Sequence, residues 1–432
     1  IWLPPILGLQ YQLSQQSVSL IIHHTGTTTL PLSAKPKMEG TNVPNDDNNM
    51  TPATFDQLKA CQFSSWYPKF RSLNNSSNPS AKIYPKNNVT IRSIIISPLP
   101  ESFMEYLKSD GVLLPKGAQE VSSLLTTEAD SGWSSDEDED GTDENHTSNS
   151  SEEAYFPELN QQIQTALDKL GPCMPKLNWS APKDVTWLNE STLKCCTIGD
   201  VYLLLKSSDF CMFDLEHALD DIDMNGSTND VCKNVALEYE LILRKWSTLH
   251  SSMEFRCFVA HHELVGICQR NHTQHYPHLK REYMEIRDNI ANFFDAYIRE
   301  NFADALVSTY VFDVYVDKNE RVWLIDFNLW SERTDALMFT WEELVAFADE
   351  NKADQTNDKS ERDTDGQEVI NIDNVGPEMR VVMNAFEVHY DPLASYRAPI
   401  DAVDLASDQA GSQTFKDFMD MCSKPSELDV DE

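Results

Sequence analysis

Three oxygen-bearing side chains, Asp313, Asp326 and Asn328, stand within one apolar stretch, Tyr310–Trp330. Brought together, two carboxylates and an amide oxygen form a hard-cation site, of the kind that suits magnesium shared with a nucleotide's phosphates. A hairpin would bring them together. Two β-rich runs, Tyr310–Val316 and Val322–Phe327, flank a polar turn at Asp317–Arg321. Alternate side chains of a strand share a face, so Asp326 and Asn328 project to one side and Asp313 meets them across the pair. The competing reading is a half-solvated hairpin whose polar residues face water. Against it, Asp326 lies inside Trp-Leu-Ile-Asp-Phe, and a buried carboxylate needs a cation or a Lys or Arg partner.

Other polar residues fall at strand ends. Lys183 follows Pro182 in a stiff loop, Arg244 and Trp246 sit where a strand leaves for the next subdomain, and Arg256 and Arg270 lie on successive strands. Cations for phosphate, an aromatic ring for a base and oxygens for magnesium make a nucleoside-triphosphate site, with arginine the better phosphate partner because its fork binds two oxygens. Each residue also has a duller reading. Trp246 could be core, Arg256 and Arg270 could pair with Glu254 and Glu263, and Lys183 could be a surface lysine. No Gly-x-x-x-x-Gly-Lys-Ser/Thr occurs, which removes the P-loop class, and no His-Arg-Asp or Asp-Phe-Gly, which removes protein kinases.

The elements that must position these groups come from a chain of 432 residues, 41% hydrophobic, enough for two packed domains plus tails. A net charge of −36 and a pI near 4.5 disfavour nucleic acid and anionic membranes as partners and favour basic protein surfaces. Nine cysteines without a Cys-x-x-Cys suggest reduced thiols in a cytoplasmic protein. His272, His275 and His278 recur every three residues, but Pro277 breaks the helix a metal set would need. No run is long enough to span a bilayer.

Residues 1–52 read as a disordered leader, with 1–37 unlike a folded start. Globular composition begins near Thr54, with a helix at Phe55–Phe63 and an extended exit forced by Trp66-Tyr67-Pro68. A strand at Val89–Ile96 and a short helix at Phe103–Asp110 complete an N-terminal part, 53–131. Residues 132–153 form an acidic insert with too few apolar residues to bury, where Ser134 and Ser135 precede acids as acid-directed kinase substrates do. The spacing predicts a helix over Pro157–Leu170, strands at Val201–Lys206, Leu237–Leu243, Met253–Val259 and Leu264–Arg270, and a long helix over Lys280–Glu300. A helix capped by Thr340 runs to Glu350. Residues 351–368 form an acidic linker, and 369–432 a C-terminal segment and tail.

Several of these stretches resemble the eukaryotic cell-division-cycle protein 123 family. They are Cys61-Gln-Phe-Ser-Ser-Trp-Tyr-Pro, Asn178-Trp-Ser-Ala-Pro-Lys-Asp, Leu205-Lys-Ser-Ser-Asp-Phe, Leu243-Arg-Lys-Trp, Met253-Glu-Phe-Arg-Cys-Phe-Val, Gly266-Ile-Cys-Gln-Arg, Val322-Trp-Leu-Ile-Asp-Phe-Asn and Phe339-Thr-Trp-Glu-Glu-Leu. The resemblance implies an α+β ATP-grasp fold, a first lobe at 154–246 and a second at 247–350 clasping ATP and magnesium. It implies a monomeric assembly chaperone that binds the gamma subunit of eukaryotic translation initiation factor two and promotes its joining with alpha and beta. By the match, Asp313, Asp326 and Asn328 hold magnesium, Lys183 and Arg256 face phosphates, Arg244 and Trp246 line the adenine pocket, and Arg270 is a weaker carry-over. Two departures stand out. Leu329 replaces a frequent proline after Asp-Phe-Asn, and Lys183 stands where arginine is frequent. The alternative is an ATP-grasp carboxylate–amine ligase working through an acyl-phosphate, which would need a second substrate site that no constellation in the sequence supplies.

Overall fold

Thr54 and Gln57 close a capping box that starts α1 (Phe55–Cys61): the Thr54 hydroxyl accepts the Gln57 N–H, and Gln57 Oε1 accepts the Thr54 N–H. A computed structural model of the chain describes residues 51–73, 89–122, 154–224, 237–302, 307–357 and 376–388. The expected leader, the acidic insert and the tail lie outside the described residues, as does all but the first part of the linker. After one residue α2 (Phe63–Arg71) follows, with Pro68 inside it. The extended exit read from Trp66-Tyr67-Pro68 is therefore wrong. Phe63, Trp66, Tyr67 and Phe70 are all buried, and Trp66 and Phe70 meet the Phe327 ring. Burying that aromatic surface outweighs the single helical hydrogen bond that a proline removes.

The smaller sheet holds β1 (Ser93–Ile96), β2 (Cys173–Leu177) and β3 (Leu241–Lys245) in the antiparallel order β1-β3-β2. Leu241, Leu243, Cys173 and Leu177 turn to a core shared with α3 (Glu101–Lys108), α4 (Pro157–Leu170), α5 (Ile198–Ser207) and α6 (Asp209–Glu216). Between them on β3, Ile242 joins the opposite core. The strand expected at Val201–Lys206 is α5. Its apolar run suits either element, and what decides is the capping box of Thr197 and Asp200, which opens a helix one residue later. The strand expected at Leu237–Leu243 begins later and extends through Arg244 and Lys245.

The larger sheet runs β7-β6-β4-β5-β8, from β4 (Glu254–Ala260), β5 (Glu263–Gln269), β6 (Tyr310–Val316), β7 (Val322–Asn328) and β8 (Glu378–Arg380). All pairs are antiparallel except β5 with β8. One face, with Phe255, Cys257, Tyr310, Phe312, Leu324 and Phe327, packs on α1, α2 and α7 (Leu279–Phe293). The long helix expected over Lys280–Glu300 thus ends as α-helix at Phe293 and continues as a π-turn, Phe294–Ile298. At one end of the other face, Phe258 and Val311 pack on α8 (Trp341–Asn357). The Thr340 hydroxyl accepts the Glu343 N–H, as the cap reading requires.

The segment before β1 joins the two sheets. Val89 O accepts the Leu324 N–H, and the Thr90 hydroxyl donates to Leu324 O, while Ser93–Ile96 pairs with β3. The outer edge of β7 is thereby occupied.

Candidate functional site

The site grows from a register shift. Asp313 stands opposite Asp326, yet the next pair is Val314 with Leu324, so Ile325 is an extra residue on β7. That bulge re-aims the strand. Leu324, Phe327 and Leu329 stay in the core, which leaves Asp326 and Asn328 on the opposite face with Asp313. The bulge also leaves the Ile325 carbonyl free to accept Arg244 NH1 at 2.8 Å.

Arg256 is the register partner of Asp313 on β4 and grips it with both prongs, Nε to Oδ1 at 2.8 Å and NH2 to Oδ2 at 2.9 Å. Its NH1 donates to Asp335 O at 2.8 Å. Arg270, just past β5, adds Nε to Asp313 Oδ2 at 3.1 Å. Neither arginine takes the expected neighbours, since Glu263 pairs with Arg299. Burial opposes ionisation of Asp313, but Arg256 and Arg270 prevail and hold its carboxyl well below the ordinary range.

Lys183 opens the short 3-10 helix Lys183–Leu188 in the first lobe. It is half-buried, and the Arg270 charge, followed by burial and the Arg256 charge, lowers its pKa to about 8. Three cations, Lys183, Arg256 and Arg270, are thus gathered with two carboxylates, Glu254 and Asp313. Arg244 is buried, lies over the Phe63 ring at 5.5 Å, and has its pKa lowered by burial. Trp246 follows β3 and lies half-buried against the first-lobe core.

Sequence reasoning passed over Lys176. Its ammonium, from β2, bonds Asp326 Oδ2 and the Trp179 carbonyl, and its side chain is 3% exposed. A signal was present, because a lysine inside Cys173-Met-Pro-Lys-Leu needs a buried partner for the same reason as Asp326.

The residues present fit a magnesium-bound polyphosphate. Asp326 Oδ1 and Asn328 Nδ2 are buried with no hydrogen-bond partner, and native structures rarely leave such atoms unmatched. The Asn328 amide would present its oxygen by a half-turn. Lys183, Arg256 and Arg270 together leave one positive charge in excess of Asp313 and Glu254. Both oxygens of Asp313 are already engaged by arginine, so a cation there would share them through remaining lone pairs.

Similar proteins cover nearly the whole fold. A Xenopus tropicalis protein named translation initiation factor eIF2 assembly protein is 36% identical over 383 residues, 87% of this chain and 99% of its own. One of the same name from Danio rerio is 37% identical over 372 residues, covering 84% and 93%. The solved structure of Cdc123 from Schizosaccharomyces pombe superimposes with a TM-score of 0.52 at 31% identity, over 77% of this chain and 99% of that one. The family model D123 matches residues 83–406. The chain belongs to the D123 family, which includes the Cdc123 and eIF2 assembly proteins.

Proposed function

We propose that this chain is an ATP-binding assembly factor for eukaryotic translation initiation factor two, working as a cytoplasmic monomer. The two lobes form an ATP-grasp clasp, the client is the gamma subunit, and the factor promotes its joining with alpha and beta. Asp313, Asp326 and Asn328 hold magnesium. Lys183, Arg256 and Arg270 face phosphates, and Arg244 with Trp246 borders the adenine. The two carboxylates and the amide would hold the ion, and its charge would offset the repulsion between the carboxylates and a polyphosphate. Lys176 fixes the position of Asp326, and the Asp313–Arg256 pair fixes the floor on which phosphate rests.

One observation supports this most: Asp326 Oδ1 and Asn328 Nδ2 are buried without hydrogen-bond partners on the face where Arg256 and Arg270 converge on Asp313. A divalent cation carrying phosphate would match these groups. The names of the relatives support the client.

Calorimetry of Mg-ATP binding to the wild type and to Asp326→Ala tests the site. The variant should keep its circular dichroism spectrum and lose affinity by at least about tenfold, the usual scale for a metal-site partner. Unchanged affinity would remove the magnesium assignment. Incubation with Mg-ATP and the gamma subunit separates chaperone from ligase, because stoichiometric complex without turnover fits the former and ADP release tied to an acceptor fits the latter.

A further inference from the structure

A second surface, away from the carboxylates, straddles the two lobes at the end of α6. Phe213 and Leu219 are 41% and 43% exposed, although both are large and apolar. The His217 ring lies tilted beside Phe213 at 5.2 Å, one turn along, and its Nδ1 is 2.8 Å from Asp220 Oδ2. Exposed Glu216, Asp220 and Asp221 rim them, and no lysine or arginine occurs from Ser208 to Met224.

The second lobe reaches this surface through one side chain. Arg333, five residues beyond Asn328, lies over the Phe213 ring at 5.0 Å. Its NH2 donates to His217 O at 2.9 Å, and its NH1 to Ala218 O at 3.0 Å and Asp220 O at 3.1 Å. The guanidinium thus caps the carbonyl end of α6, where a cation is favoured. Its N–H groups are directed at three carbonyls, and its charge lies near Asp220 and Asp221 and offsets part of the rim. What the surface offers outward is an aromatic and an aliphatic side chain inside a negative rim.

We infer that the Phe213–Leu219 surface, assembled across the lobes by Arg333, docks a basic protein surface that presents an apolar side chain between lysines or arginines. Resting on the function proposed above, that partner is the translation-factor client. Charge complementarity carries the choice. Apolar side chains inside a polar rim are the usual anatomy of a binding surface, and Glu216, Asp220 and Asp221 outnumber Arg333, the cation beside them. A second copy of this chain is the poorer occupant, because two such rims would meet at a net charge of −36 each. The surface lies on both lobes, so whatever moves Asn328 and the following loop also alters the dock.

The test uses full-length protein and the separately purified alpha, beta and gamma subunits, with lysozyme as an unrelated basic control. The Phe213→Ser/Leu219→Ser variant should bind gamma at least about tenfold more weakly, on the scale of a lost hot spot. Glu216→Lys should weaken binding at low salt, with the difference shrinking as salt rises. Lysines are compatible with a helix C-terminus, so this variant should fold. Both should keep wild-type melting temperature and Mg-ATP affinity. Should the double serine variant fold poorly, Leu219→Ser alone carries the apolar arm. The inference is overturned if wild-type gamma binding survives in both variants, if lysozyme shows the same losses, or if gel filtration reveals a wild-type dimer that the variants lose. A wild type that binds no subunit sinks the proposed function instead, and this inference with it.

Discussion

A nucleotide entering the cleft should draw a proton from solvent at alkaline pH. Lys183 has its pKa lowered from 10.5 to about 8 by Arg270, burial and Arg256. At pH 9 that leaves about a tenth of the free protein protonated there, against nearly all of it if phosphate restores the ordinary value. Binding Mg-ATP at pH 9 should then take up about 0.9 proton, and at pH 6.5 about none, since Lys183 is charged in both states. The nucleotide is fully ionised at pH 9 and contributes nothing. Titration calorimetry in two buffers of different ionisation enthalpy measures the uptake directly. Affinity should also fall as pH rises from about 8 towards 10.5, approaching tenfold per unit. Lys183→Met is the control that isolates the group, because the pKa of Lys206 is also lowered to about 8, there by burial. Zero uptake at pH 9, or uptake that persists in Lys183→Met, would refute the reasoning.

Without ligand the linkage has its own sign: between about 8 and 10.5 the unfolded chain holds protons that folded Lys183 and Lys206 have released, so these two groups favour the fold as pH rises, while the buried thiols Cys61, Cys173, Cys195, Cys211, Cys257 and Cys268, whose pKa burial raises, oppose it. Urea melts at pH 7.5 and 9.5 of the wild type and of Lys183→Met isolate the lysine, and an equal change in the two would contradict its assignment. Lys176→Met strands Asp326 at the lobe boundary and should cost about 3 kcal/mol by denaturant unfolding, as breaking a buried pair does. A loss under about 1 kcal/mol would mean that the carboxylate finds other solvation. Gly199 at the start of α5 has no room for a side chain, since a Cβ would lie 2.1 Å from Glu120 O and 2.7 Å from Ala118 O. Gly199→Ala should therefore destabilise by about 2 kcal/mol or more, and a neutral result in thermal melts would show that residues 118–120 give way easily.

The hairpin Tyr310–Asn328 was legible because both strands are rich in β-branched and aromatic residues and enclose a polar turn. Its bulge was not, since an extra residue leaves no compositional mark when it is one more apolar side chain, Ile325. Arg256 and Arg270 were found as cations, but their convergence on Asp313 depends on strand order, which local pattern does not encode. Lys176 escaped because it stands 150 residues from Asp326. Val201–Lys206 was misread because period arguments fail on an unbroken apolar run, and the Thr197–Asp200 box just before it held the answer. Pro68 misled for the opposite reason: a local preference was overruled by the four aromatic rings around it.

The strip from Val89 to Ile96 is laced to β7 at one end and to β3 at the other. Arg244 and Lys176 reach the same strand from the first lobe. Strand β7 is thus bonded by both halves, so Asp326 and Ile325 cannot part from the first lobe without breaking the Lys176 and Arg244 bonds that hold them.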